Sequence, residues 1–156
     1  MVTRRFSVCT TARTAQDVRR EALRMRADGG LDLIVVDYLQ LLDAGRKTSN
    51  RTEAVGVISR TLKLLAVELN IPVLTASQLS RASERNDAPR LSDLRESGSI
   101  EQDADAILLI HWPDQEDSTR ELIIAKNKEG ETGKNFLRFD GKHQTFSEFN
   151  LRQPEF

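Results

Sequence analysis

Between residues 33 and 78 the chain spells a strand, a helix and a second strand, and that order leaves few folds open. Leu33-Ile34-Val35-Val36 is a short apolar run closed by one acid, Asp37. It reads as a strand buried on both faces, as parallel strands are. A polar loop over residues 44–50 leads into residues 51–70, where Val55, Ile58, Leu62, Leu65 and Leu69 recur at alternating spacings of three and four. That period lays one apolar stripe along an α-helix. Gly56 lies inside the helix; it costs about 1 kcal/mol relative to alanine and leaves the stripe intact. Residues 72–76 form the next apolar run, followed by Ser77-Gln78. Two strands joined through a helix run parallel, so the predicted class is α/β.

The flanks extend this unit. Phe6-Ser7-Val8-Cys9 reads as a short strand. Thr14 is placed to cap a helix over residues 15–27, where Val18, Ala22 and Met25 share a face, and Gly29-Gly30 ends it. Residues 80–90, with Asn86-Asp87 and Pro89, read as a mobile loop, and residues 91–104 as one or two short helical turns. Residues 106–110 form a further apolar strand. Residues 121–126 and 135–139 read as strands around the turn Glu129-Gly130-Glu131-Thr132-Gly133, with 145–147 a last short one. The predicted architecture is a mostly parallel sheet flanked by helices, with antiparallel hairpin strands at one edge. Residues 1–150 are expected to form that domain and 151–156 a tail.

Composition narrows the function. A chain of 156 residues suits one domain with a sizeable core. Its formal net charge of −1 restricts any nucleic-acid contact to a local patch. Cys9 is the single cysteine, which excludes an internal disulfide and a cysteine-cluster metal site, and fits a reducing compartment. No apolar run approaches the roughly 20 residues that cross a bilayer. The basic start lacks the apolar core of a secretory signal. The expected location is the cytoplasm, without a membrane partner. His111 and His143 stand alone, so zinc-type ligation is not expected, and no GxSxG string occurs.

Ligands of open α/β sheets sit at the carboxyl ends of the strands. An acid there, Asp37, suits Mg²⁺ beside a triphosphate, directly or through water, and equally suits a solvated strand end. Gln78 closes the next strand; its amide can meet a γ-phosphate or an attacking water, or satisfy the turn it sits in. Arg95-Glu96-Ser97-Gly98 offers a guanidinium, a carboxylate and a glycine that lets a phosphate approach the backbone, and reads also as a solvated turn with an ion pair. Lys126 and Lys128, at alternate positions, are expected to point the same way on a strand, either toward an anion on a neighbouring subunit or as lysines that protect a sheet edge. Trp112 reads as a partly buried surface residue.

These strings together resemble the DnaB family of hexameric replicative DNA helicases, within the RecA-like ATPases, over about residues 6–149. Residues 33–41, LIVVDYLQL, look like the family's Walker B strand; Ala76-Ser77-Gln78-Leu79-Ser80-Arg81 looks like its γ-phosphate sensor. Residues 93–105, DLRESGSIEQDAD, look like its DNA-binding loop and following helix; Ile124-Ala125-Lys126-Asn127-Lys128, with Gly130 and Gly133, looks like its finger hairpin. The resemblance implies ATP and Mg²⁺ as cofactors, with Asp37 ordering the metal and Gln78 reading the γ-phosphate. It implies that Arg95, Glu96 and Gly98 hold the backbone of single-stranded DNA, and that Lys126 and Lys128 reach the nucleotide of the next subunit in a homohexameric ring. The chain departs from the family at Lys128, where arginine is typical, and at Ala54, where an acid is frequent. It also contains no GxxxxGK[ST] phosphate loop. The expected function is a share in ATP-driven translocation and duplex unwinding during replication, these residues alone being inactive as an ATPase. The alternative is a non-enzymatic RecA-like module for single-stranded DNA binding or ring assembly.

Overall fold

The structure is a computed structural model that describes residues 6–80, 88–94, 98–114 and 116–149. The chain divides into two compact units, one of Met1–Gln78 with Gly98–Asp103, the other of Leu79–Ser97 with Ala104–Phe156.

In the first unit, α1 (Ala15–Ala27) starts where the sequence predicts. The Thr14 hydroxyl accepts from the Asp17 backbone N–H at 3.1 Å, and the Asp17 carboxylate accepts from the Thr14 backbone N–H at 3.0 Å. This reciprocal pair satisfies donors that a helix start leaves open. Gly29 and Gly30 follow at φ 140° and 108°, a region closed to other residues, so the helix cannot continue through them. Next come β1 (Ile34–Val36), α2 (Arg51–Leu69) and β2 (Val73–Thr75). The Asn50 side chain caps α2 by accepting from the Glu53 N–H at 2.8 Å, and Asn70 ends it in the left-handed conformation at φ 51°. All five residues of the predicted stripe are buried. Leu65 and Leu69 meet Ala22 of α1, with Val18, Leu23, Leu31, Ile34 and Ile71 packed around them.

Strands β1 and β2 pair in parallel, Ile34 opposite Val73, Val35 opposite Leu74 and Val36 opposite Thr75. Two expectations need correction. Only one face of this pair is covered: Val36 is buried, whereas Val35 and Leu74, side by side on the other face, are each 58% exposed. The β-branched run of β1 reports strand propensity, not the presence of a second covering layer. The strand expected at Phe6-Ser7-Val8-Cys9 does not form; Phe6 is 89% exposed and that stretch pairs with no strand among the described residues. Alternation without a neighbouring ladder does not hold a strand. The unit closes with α3 (Gly98–Asp103), which packs on α2.

The second unit opens with a bridge between Leu79 and Leu94 and a 3₁₀ turn, Leu91–Asp93. Most of the predicted loop lies in residues 81–87, outside the described residues. Four antiparallel strands follow in sequence order: β3 (Ala106–His111), β4 (Thr119–Asn127), β5 (Gly133–Asp140) and β6 (Thr145–Glu148). A bulge interrupts the β3–β4 register between Ile107 and Leu108. On β3, Ile107 and Leu109 are buried while Leu108 and Ile110 face outward. The Arg120 guanidinium lies 3.7 Å from the Trp112 ring centroid and donates to the carbonyls of Asp117 and Thr119. Phe139 and Phe146 stack at 4.8 Å across β5 and β6. Parallel pairing through a helix and a terminal antiparallel ladder are both as the sequence predicts.

Candidate functional site

Both strand ends of the first unit emerge on one rim. Past the last paired residues of β1 and β2, the Ala76 N–H donates to the Val36 carbonyl at 3.1 Å and the Leu39 N–H to the Ala76 carbonyl at 2.9 Å. The two chains therefore stay together beyond the strands, with Asp37 on one and Ser77-Gln78 on the other. The Asp37–Tyr38 peptide is cis. A 3₁₀ turn, Leu39–Leu41, buries Leu39 and turns Gln40 toward the second strand end. Gln40 then bridges the rim: its amide nitrogen donates to Ser77 Oγ at 2.8 Å, and its amide oxygen accepts from the Gln78 backbone N–H at 3.3 Å. Arg51, at the start of α2, donates to the Gln40 carbonyl. Sequence reasoning missed Gln40. The signal it offered was a long amide between two leucines, one turn past a strand-end acid.

Asp37 and Gln78 stand on this rim, the Asp37 side open to solvent. Mg²⁺ is commonly held by one or two carboxylates together with phosphate oxygens and water. Asp37, a single carboxylate open to solvent, fits that donor set. Among the described residues no three His, Cys, Asp or Glu side chains gather into a metal cage.

Of the residues expected to contact DNA, Arg95 and Glu96 lie outside the described residues. Gly98 is the first residue of α3 and is exposed, with open space where a Cβ would stand. Helix α3 is fastened to α2 at its far end: the Ser59 hydroxyl donates to Asp103 Oδ2 at 2.9 Å, and Arg60 reaches Oδ1 at 3.4 Å.

Lys126 and Lys128 belong to the second unit. Lys126 lies in β4 opposite Ile107. Lys128 falls one residue beyond the strand. The Lys128 backbone N–H donates to the Asp105 carbonyl at 2.9 Å, and its ammonium lies 2.9 Å from Asp105 Oδ1. In the turn that follows, Asn127 crowds Gly130 so closely that a Cβ there would stand 2.6 Å from its amide nitrogen. His111 contacts Glu121 at 3.2 Å, and Lys134 reaches the same carboxylate oxygen at 3.1 Å. These bonds, His111 first and Lys134 second, hold the Glu121 carboxyl below its usual range.

The fold is that of RecA-like helicase domains. Two solved structures carry the likeness. One, an ATPase domain, superposes with a TM-score of 0.82 at 33% identity, over 88% of this chain and 52% of that one. The other, "The Structure Of A DnaB-Like Replicative Helicase And Its Interactions With Primase", gives 0.82 at 36% identity, over 88% and 36%. The chain belongs to the DnaB-like helicase C-terminal domain family, whose model matches residues 4–148. Relatives include the replicative DNA helicase DnaB of Leifsonia xyli subsp. xyli, 41% identical over 86% of this chain and 31% of that protein. The DnaB of Geobacillus stearothermophilus is 43% identical over 89% and 33%. A probable plasmid replicative DNA helicase of Chlamydia psittaci is 44% identical over 86% and 31%. The chain thus spans about a third of the length of these relatives. No helix among its described residues is long and apolar enough to cross a membrane.

Proposed function

We propose that residues 1–150 are the C-terminal portion of a replicative helicase motor domain, with 151–156 as a tail, and that they share in coupling ATP hydrolysis to movement along single-stranded DNA in the cytoplasm. The observation that supports this most directly is the rim on which Asp37 and Gln78 stand together, tied by Gln40. Bound there, Mg²⁺ would supply charge neutralisation on the phosphates. Asp37 would orient the metal's shell, and the Gln78 amide would meet the terminal phosphate, its backbone held by Gln40. A change at that phosphate would pass to Gln78 and from there to the segment that leads to Arg95, Glu96 and Gly98, which would hold the DNA backbone. Lys126 and Lys128 would serve the nucleotide of the next subunit in a homohexameric ring. Lysine there keeps the charge of an arginine without its bidentate fork.

Because the chain contains no phosphate loop, these residues by themselves should hydrolyse no ATP. Titrating the chain with a fluorescent oligothymidylate separates the two parts of the proposal. Binding should weaken steeply with salt, and Arg95→Ala should lower the log–log salt slope by about 0.7, the share of one single-strand phosphate contact. Salt-independent binding, or an unchanged Arg95→Ala variant, would remove the DNA-contact assignment. Mg²⁺-dependent ATP turnover by the chain alone would remove the claim that a phosphate loop is required.

A further inference from the structure

We propose that Ser59, acting with Gly56 and Asp103, is a positioning residue for DNA contact: it clamps α3 onto α2 and so fixes Gly98. The proposal rests on the functional assignment of Gly98 above.

Ser59 sits in the middle of α2 and is buried, 7% exposed. A hydroxyl in that setting ordinarily satisfies itself by bonding the carbonyl one turn back. Thr61, two residues on, does this, donating to the Val57 carbonyl at 2.8 Å. Ser59 instead directs its hydrogen bond to Asp103, the last residue of α3, at 2.9 Å. The Asp103 side chain is itself almost enclosed, 11% exposed, and its other oxygen faces Arg60. One turn earlier on α2, Gly56 meets the opposite end of α3. A Cβ at Gly56 would stand 2.7 Å from Ser99 Oγ and 3.3 Å from Ser99 Cβ, so the two helices approach this closely only because the side chain is missing. Between the two contacts Ile100 is buried.

A helix of six residues does not hold its shape or direction alone. Here two separated contacts set its axis. Releasing Asp103 leaves a pivot on Ser99 and Ile100. At 1.5 Å per residue Gly98 stands about 2.3 Å from that pivot, so a tilt of about 20° moves it by about 0.8 Å, while the Asp103 end swings further. The displacement at Gly98 exceeds the tolerance of a hydrogen bond to a phosphate oxygen. Gly56 explains the close approach, and Ser59 explains why a buried hydroxyl is directed away from its own helix.

The test uses the full chain as Ser59→Ala, Asp103→Ala, the double variant, and Thr61→Ala as the control whose hydroxyl serves only α2. Fluorescein-labelled oligothymidylate reports binding, amide hydrogen exchange reports Ile100 to Asp103, and thermal melting reports global stability. Both single variants should weaken binding about fivefold, the worth of one hydrogen bond. They should speed exchange in α3 and leave the exchange of α2 unchanged. The double variant should be no worse than either single one, and Thr61→Ala should leave binding and α3 exchange as in the parent. Unchanged α3 exchange in Ser59→Ala overturns the clamp. Faster exchange with parental affinity overturns the positioning role. Parent protein that fails to bind the oligonucleotide, or an unchanged Arg95→Ala variant, overturns instead the DNA assignment, and the exchange measurement still decides whether the clamp exists.

Discussion

Gln40 and Ser77 are joined across the rim of the first unit by a 2.8 Å hydrogen bond, although 37 residues separate them in sequence. With the second bond from the Gln78 N–H, one side chain holds two strand ends in register. Gln40→Ala should cost about 1 kcal/mol, because a typical net hydrogen bond contributes that much and water reaches this half-open rim to replace part of it. The urea midpoint measures the loss. Amide exchange at Gln78 should rise at the same time, which a general loosening of α2 would not produce selectively.

All five residues of the α2 stripe are buried in the core of their unit. Leu65 is almost fully enclosed against Ala22 and Leu69. Leu65→Ala should destabilise by about 2–5 kcal/mol, the range for a core leucine that leaves a cavity. Val67, on the same helix but exposed, should tolerate alanine within about 0.5 kcal/mol. Chemical denaturation of the two variants side by side gives the contrast.

Acid should act on the start of α1. The Thr14 hydroxyl first, then the backbone N–H groups of Thr14 and Arg13, hold the Asp17 carboxyl at about 2, down from 3.8. The folded form therefore releases this proton more readily than the unfolded chain does. The stabilisation is complete above about pH 3.8 and disappears as pH falls toward 2. Thr14→Ala should lower stability at neutral pH, and its gap from the parent should narrow across that window. Urea midpoints from pH 5 to pH 2 follow the effect; a gap that widens on acidification would show the opposite linkage.

The uncovered face of β1 and β2 should drive association. Val35 and Leu74 are register partners that both face outward, and exposed apolar patches on strands promote contact between molecules. Replacing both with threonine puts β-branched residues, which favour strands, at both positions and removes much of the apolar surface. The double variant should remain monodisperse at higher concentration in light scattering, with its urea midpoint within about 0.5 kcal/mol of the parent.

The sequence made the regular elements legible where a period was long. The α2 stripe, the Thr14 cap, the Gly29-Gly30 stop and the terminal hairpins all stand where local chemistry places them. Phe6-Ser7-Val8-Cys9 misled because a strand needs a neighbour, and four alternating residues cannot reveal whether one exists. Val35 misled for a related reason: an apolar run shows what a strand can bury, not what covers it. On the rim, Asp37 and Gln78 could be placed at strand ends because each closes an apolar run, and the ligand role proposed for them rests on where ligands sit in open α/β sheets. The contacts of Gln40 and Ser59 could not be foreseen, since they depend on partners 37 and 44 residues away.

Asn70 has a consequence for how such a chain can vary. It stops α2 in a left-handed turn, and only Ile71 and Pro72 separate it from β2. A connector this short has no slack. One residue added to α2 would rotate everything beyond it by about 100° and advance it by about 1.5 Å, twisting Leu65 and Leu69 off their seat or dragging Gln78 away from Gln40. Helix α2 thus works as a ruler of fixed length between the two halves of the rim, and natural insertions in this stretch belong in the loop over residues 44–50, upstream of the ruler's first mark at Asn50.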